Sequence, residues 1–517
     1  MELTLLNQLG EWNPQLFREL KGQLKPRNLV FTVAGSLVSQ LLILLAFSQQ
    51  NCLDSGCTQI DWDIRWHEMF RTMNWLLPFI LIFGGTYLLI SNLGKEEHRG
   101  TLNFIRLSPQ SSQSILIGKL LGVPALLYLG IALAVPLHWV SALADSVSLA
   151  WLLGIYSLWG AGCYLFYTTA LLIALLNGFQ SAVQTQAWAG SLLTALLGLI
   201  YISVIDFSFD SYRASFGLGN WHWFLLPLGR QVGLVYVWTL ITLSVGTHWI
   251  WQATNRLFRN PKATLLSKRQ SYWLVGSLQV CLLGFVLPEP NSVVSNAQLF
   301  LSSSILFVLN PIGFLILSTA LSPHRQNLQD WTRYRHKSRS PGKGVLNHSL
   351  VQDLIWGEKS PALVAIAINL LITATIWVPW ILLVPQEVWQ EKNITLQQAL
   401  LGLLLTLNLI LIYAAIFELM VFMSKSKQVL WLVGTVGGGI VLPLIIGLNL
   451  GIEPLNMPFI WLFSPLPILT LVHASIPTVL LGLLAQLGVL SLLTLQLTRQ
   501  LQQVGESTSK RLFISQK

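Results

Sequence analysis

Charge is the scarcest property of this 517-residue sequence: 21 acidic and 31 basic side chains make up 10% of it, against about 25% in a soluble domain. So few charges cannot keep the surface of such a chain solvated, which excludes a soluble enzyme, a disordered chain and a compact nucleic-acid-binding domain. Motifs for chemistry are missing too. The sequence has no G-x-x-x-x-G-K-[ST] phosphate loop, no H-E-x-x-H and no G-x-S-x-G, and its nine histidines are scattered. No catalytic residue, metal ligand or cofactor bound by this chain is therefore expected. Of the four cysteines, Cys163 and Cys281 lie in apolar runs and read as small hydrophobes. Cys52 and Cys57 flank the polar turn NCLDSGC, where a disulfide staple and two free thiols both fit. Residues 1–27 hold no apolar core, so no cleavable signal peptide is expected.

What the sequence has instead is hydrophobic length. With 53% hydrophobic residues, it offers twelve windows suited to crossing a bilayer: 29–47, 75–94, 115–140, 149–177, 182–205, 233–251, 272–287, 297–321, 363–383, 400–423, 429–450 and 476–497. Two shorter apolar pieces, 221–228 and 459–471, are broken by proline and read as re-entrant or interfacial hairpins. The fold class expected is an all-α polytopic transmembrane bundle of about twelve spans. With the N-terminus inside, the outer side receives only Arg65, Arg71, Arg213, Arg230 and Lys392, and the other 26 of the 31 basic residues fall on the inner side. The positive-inside rule then places both termini in the cytoplasm. The run Arg333, Arg335, Lys337, Arg339 and Lys343 reads as an inner-face contact with anionic lipid, with no need of a nucleic-acid partner.

Two halves are legible. Asn13-Pro14 opens a helix with Leu16, Phe17, Leu20 and Leu24 on one stripe and Gln15, Arg18 and Lys21 off it. This is the pattern of an amphipathic helix lying in the interface. It runs into Gly22-x-x-x-Pro26 and a span. Asn347, Leu350, Leu354, Ile355 and Gly357-x-x-x-Pro361 repeat that sequence of features 334 to 335 residues later. Later landmarks (Phe179, Ser181 and Trp188 against Phe422, Ser424 and Trp431) repeat at 243. The difference corresponds to the second and third spans, so the second half reads as a shortened copy. The expected organisation is a cytoplasmic N-terminus with its interfacial helix (1–28), a six-span domain (29–252), a basic linker (253–271) and two extra spans (272–321). There follow a second basic linker with an interfacial helix (322–360), a four-span half (361–498) and a cytoplasmic tail (499–517).

Ionisable residues inside spans are few. Lys119, His138 and His248 lie near span ends. Glu418 lies one to two turns from one, where it serves either a local helix contact or a substrate or ion. No ladder of buried carboxylates supports an ion-driven transporter. The informative polar segment is Gly94-Lys95-Glu96-Glu97-His98-Arg99-Gly100-Thr101-Leu102, followed by Asn103 to Pro109 and by Ser114-Ile115-Leu116-Ile117-Gly118-Lys119-Leu120. It reads as a charged turn, a short helix capped by Thr101 and a Ser-Pro break. Charges there would set register and apolar residues would anchor a partner; an ordinary solvated connector is the plain alternative.

The pattern E-x-x-x-G-T-L, a following S-P and then I-x-x-G-K-x-L resembles that of type-2 ABC exporter permeases over about residues 10–270. Glu96, Gly100, Thr101, Pro109, Gly118 and Lys119 carry the resemblance, with His98 where the family often has a carboxylate and no equivalent loop in the second half. It implies that residues 13–24 form a connecting helix and that Lys95, Glu96, Glu97, Arg99, Gly100, Thr101 and Leu102 contact a separate ABC ATPase subunit, which binds ATP and Mg. It also implies a location in the bacterial cytoplasmic membrane. Membrane lipids and either a second copy or a second permease subunit are the other partners implied. The expected function is the membrane subunit of an exporter for a lipid, a lipid-linked glycan or a drug-like molecule. A non-transporting assembly protein derived from a permease, and a secondary transporter or channel, are the alternatives.

Overall fold

The computed structural model describes residues 10–52, 60–176, 183–213, 222–287, 296–337, 348–385, 395–422, 461–462, 467, 471 and 474–505. The chain is an all-α polytopic helical bundle with ten described helices long and apolar enough to cross a membrane. It divides into two compact units, residues 1–221 with 228–261 and residues 222–227 with 262–517.

In the first unit, α1 (Pro14–Gln23) starts where the Asn13 side chain accepts the Leu16 N–H at 3.0 Å, with proline in the first turn. The first span, α2 (Pro26–Phe47), buries no residue at all. The short strands β1 (Ser48–Cys52) and β2 (Ile60–Ile64) pair antiparallel, Ser48 opposite Ile64 and Cys52 opposite Ile60. This is a hairpin in a stretch read from sequence only as polar. Cys57 lies outside the described residues.

The unit is organised around α3 (Trp66–His98), on which Met69, Met73, Leu77, Leu81, Gly85, Leu89 and Leu93 recur every fourth residue as a buried stripe. Next come α4 (Thr101–Arg106), α5 (Ser112–Gly122), α6 (Ala125–Ala144), α7 (Leu149–Leu176), α8 (Val183–Arg213) and α9 (Val232–Arg259). The stripe packs against α7 and α8, with Tyr167 of α7 donating to the Leu81 carbonyl at 2.8 Å.

The window 115–140 is not a single helix. Val123-Pro124 divides it, because proline has no N–H to continue the ladder. Only α6 is a candidate span, and α5 lies beside α1. Gly118 and Gly122, one turn apart on α5, make that pairing close. A Cβ on Gly118 would lie 2.8 Å from the Leu16 backbone nitrogen, and one on Gly122 2.5 Å from Glu19 Cβ. Gly118→Leu should therefore push α1 off α5 at a cost of about 1–3 kcal/mol, read out as faster tryptic cleavage at Arg18 and Lys21 in the purified protein.

In the second unit, residues 222–227 form a tight turn on α10 (Lys268–Gly284): Phe224 N–H donates to the Gly284 carbonyl at 2.8 Å and Trp223 Nε1 to Cys281 O at 2.9 Å. The span expected over 272–287 is α10, whose 17 residues leave it outside the ten candidate membrane spans. A helical rod follows, made of α11 (Asn296–Ser304), a π turn over Ile305–Leu309 and α12 (Asn310–Leu321). Part of the basic run lies on a helix not foreseen from sequence, α13 (Arg325–Lys337), while Arg339 and Lys343 fall outside the described residues. The amphipathic segment α14 (His348–Trp356), α15 (Leu363–Leu383), α16 (Leu396–Val421) and α17 (Ile476–Gly505) complete the unit. Trp377 and Trp380 of α15 pack with Phe307 of the π turn and Leu403 of α16. The window 429–450 and most of the 459–471 hairpin lie outside the described residues.

Candidate functional site

The segment singled out between the second and third windows is built largely from helix. Lys95, Glu96 and Glu97 belong to the last turn of α3, not to a loop. Arg99 closes that helix with its N–H on the Lys95 carbonyl at 3.0 Å. Gly100 turns the chain at φ 73°, in the left-handed region where a side chain is strained. Gly100, not Thr101, therefore occupies the N-cap position of α4. Thr101 is the first residue of α4, and its hydroxyl donates back to the Glu96 carbonyl at 3.1 Å, tying the two helices together.

The six-residue α4 is pinned by its apolar side. Leu102 and Ile105 are buried with Leu89, Leu93, Ile115 and Leu116. Its other side is bare: Phe104 and Leu107 are 77% and 83% exposed, beside exposed Lys95, His98 and Arg99. These two large apolar side chains were not among the sequence candidates, though the period of α4 places them opposite Leu102 and Ile105.

Glu96 faces the other way, into a charge network closed by α1 and α5. Lys119 Nζ, in a fully buried residue, lies 2.6 Å from Glu96 Oε2, 3.2 Å from Glu19 Oε1 and 3.1 Å from Asn92 Oδ1. Arg18 Nη2 joins Glu96 at 2.8 Å and Glu19 at 3.2 Å, and Gln15 Nε2 donates to Glu19 at 2.7 Å. Two carboxylates thus balance two cations, one of them the buried Lys119 ammonium and the other the half-exposed Arg18. Asn13 Nδ2 adds a bond to the Ser114 carbonyl at 2.8 Å.

The apolar stripe of α1 is only in part its free side. The side pressed to protein carries Asn13, Gln15, Leu16 and Glu19, while Phe17 and Leu20 are half-buried and Leu24 is exposed. An apolar stripe marks the side away from water. Here the protein-facing side is polar because α5 offers Lys119 between its two glycines.

The second unit holds α14 by different chemistry. Lys268 Nζ, almost fully buried, donates to Leu354 O at 2.7 Å, Ser360 Oγ at 2.7 Å and Pro361 O at 2.9 Å. Tyr272 donates to Ile355 O at 2.7 Å, and Arg335 of α13 pairs with Asp353 of α14. Glu418 accepts the N–H groups of Ala362 and Leu363, the latter at 3.0 Å, which caps the start of α15. That is a helix-terminus contact. Lys268 was not among the candidate residues read from sequence.

Around Arg106, burial pulls the guanidinium below its ordinary range and the Glu97 carboxylate opposes that shift. Cys163 and Cys281 are free thiols. Among the described residues no group of His, Cys, Asp or Glu could hold a metal ion. Compared with family models, curated proteins and solved structures, the chain gives no match.

Proposed function

We propose that this chain is the membrane-spanning subunit of an ATP-driven exporter and that a separate ATPase docks on the end of α3 and on α4. The observation that carries the reading is the division of labour in that segment. Leu102, Ile105 and Glu96 fix it to the bundle, while Lys95, Arg99, Phe104 and Leu107 stand exposed on a rigid two-helix corner. Exposed apolar anchors ringed by charge are what a protein interface uses. A force applied there reaches α1 through the Glu96–Lys119–Glu19 ion pairs, and α1 leads directly into the first span.

The sequence has no phosphate loop, so hydrolysis falls to the partner, which supplies ATP and Mg. The positive-inside count favours a cytoplasmic position for this corner and for both termini. The many apolar spans favour a lipid, lipid-linked glycan or drug-like substrate over a small ion. The chain purified from its native membranes should bring down a polypeptide carrying a phosphate-loop motif and hydrolyse ATP, whereas the chain expressed alone should not. Purification with no such partner would favour a non-transporting assembly protein, and uptake driven by an ion gradient without ATP would favour a secondary transporter.

A further inference from the structure

Beside α4, at the end of α9, the first unit contains a cavity of ≈ 300 Å³ whose lining includes Arg106, Gln110, Ser111, Ser112, Phe258 and Arg259 and no acidic residue. Both arginines are positioned. Arg259 Nε donates to Ser112 Oγ at 2.8 Å, and that hydroxyl donates on to Asn255 Oδ1 at 2.6 Å, so one edge of the guanidinium is fixed and its terminal nitrogens remain for another acceptor. The Arg106 guanidinium stacks 5.6 Å from the Phe258 ring centre and bonds Asn103 Oδ1 through Nη1 at 3.1 Å. Its Nε is buried and has no hydrogen-bond partner among the described residues, although the Glu97 carboxylate lies close enough to interact with the guanidinium.

Ser111 caps the 11-residue α5 next to this cavity, which adds the positive end of a helix to the two guanidinium groups. Fork-shaped donors with a helix N-terminus match the oxygens of a phosphate better than a single carboxylate. Phe258 and Arg259 lie in the last turn of a candidate membrane span, so the cavity sits at an end of that helix, the part of a span nearest to headgroups.

We propose that this cavity binds a phosphate group, carried by a membrane lipid headgroup or as a free phosphate. Arg106 and Arg259 clamp its oxygens, and Gln110 and Ser111 complete the rim. The site shares α4 with the docking corner but uses Arg106 in place of Phe104 and Leu107, and its occupancy does not depend on the exporter reading.

The test uses the full chain in detergent, stripped of lipid, and equilibrium binding of short-chain phosphatidylglycerol, with inorganic phosphate and short-chain diacylglycerol as further probes. Saturable binding of the phospholipid and none of diacylglycerol is expected. The double variant Arg106→Gln/Arg259→Gln should weaken binding at least about tenfold, the loss of one or more charge-assisted bonds. Gln110→Glu, which leaves both arginines in place and adds a like charge to the rim, should weaken it comparably. Should the double variant not survive purification, the Gln110→Glu result decides. Inorganic phosphate displacing the lipid at equal concentration identifies a free-phosphate site, and failure to displace identifies a headgroup site. Wild-type affinity in the variants, or equal binding of diacylglycerol, would overturn the proposal.

Discussion

Lys119→Met should be among the most damaging single substitutions in the first unit. It leaves Glu19 and Glu96 without the buried ammonium that now lies 3.2 and 2.6 Å from them. Arg18 can compensate only in part, since its own side chain is about half exposed and is already shared between the same two carboxylates. Removing one partner of a buried ion pair costs about 3–5 kcal/mol, mostly because the other charge stays buried and unpaired. The methionine fits the space, so packing contributes little. We expect a large drop in the thermal midpoint measured by size-exclusion chromatography in detergent. Recovery of part of that loss in Lys119→Met/Glu19→Gln would show the damage to be electrostatic. An unchanged midpoint in Lys119→Met would show that the ion pairs contribute nothing to holding α1.

How much of this was legible in the sequence depends on which physical signal each element carries. Long apolar runs are insensitive to detail, so the first unit's spans emerged near their expected places. Proline punctuation was under-read in one place: Val123-Pro124 sits inside a continuous apolar window, and hydropathy alone merges α5 with α6. Which face of α1 meets protein was not legible for a related reason. Amphipathicity says that two faces differ but not which one meets protein, and only the Gly118–Lys119–Gly122 arrangement on a distant stretch settles that. The short helix after the charged turn was legible, but the residues of the segment were lumped together. Glu96 and Leu102 work inward, whereas Phe104 and Leu107, the most exposed apolar groups there, were passed over because apolar residues in a hydrophobic sequence attract no notice. Glu418 was flagged by charge in an oily segment. Its helix-capping contact depends on Ala362 and Leu363, 55 or more residues away, a pairing that no local pattern encodes.

The separation of inward from outward residues also decides how the central claim is tested. Alanine at Glu96 would disturb the Arg18–Glu96–Lys119 network and confound loss of a partner with loss of structure. Arg99→Ala/Phe104→Ala/Leu107→Ala touches only exposed side chains, so thermal stability should stay near wild type. Truncating two apolar anchors and a charge in an interface costs about 2 kcal/mol or more each at a hot spot. The decisive measurement is the amount of ATPase that co-purifies with this triple variant, relative to wild type, from native membranes at matched expression. The account predicts a fall of at least about tenfold with membrane insertion and thermal midpoint preserved. An ATPase retained at the wild-type level would contradict docking on this corner.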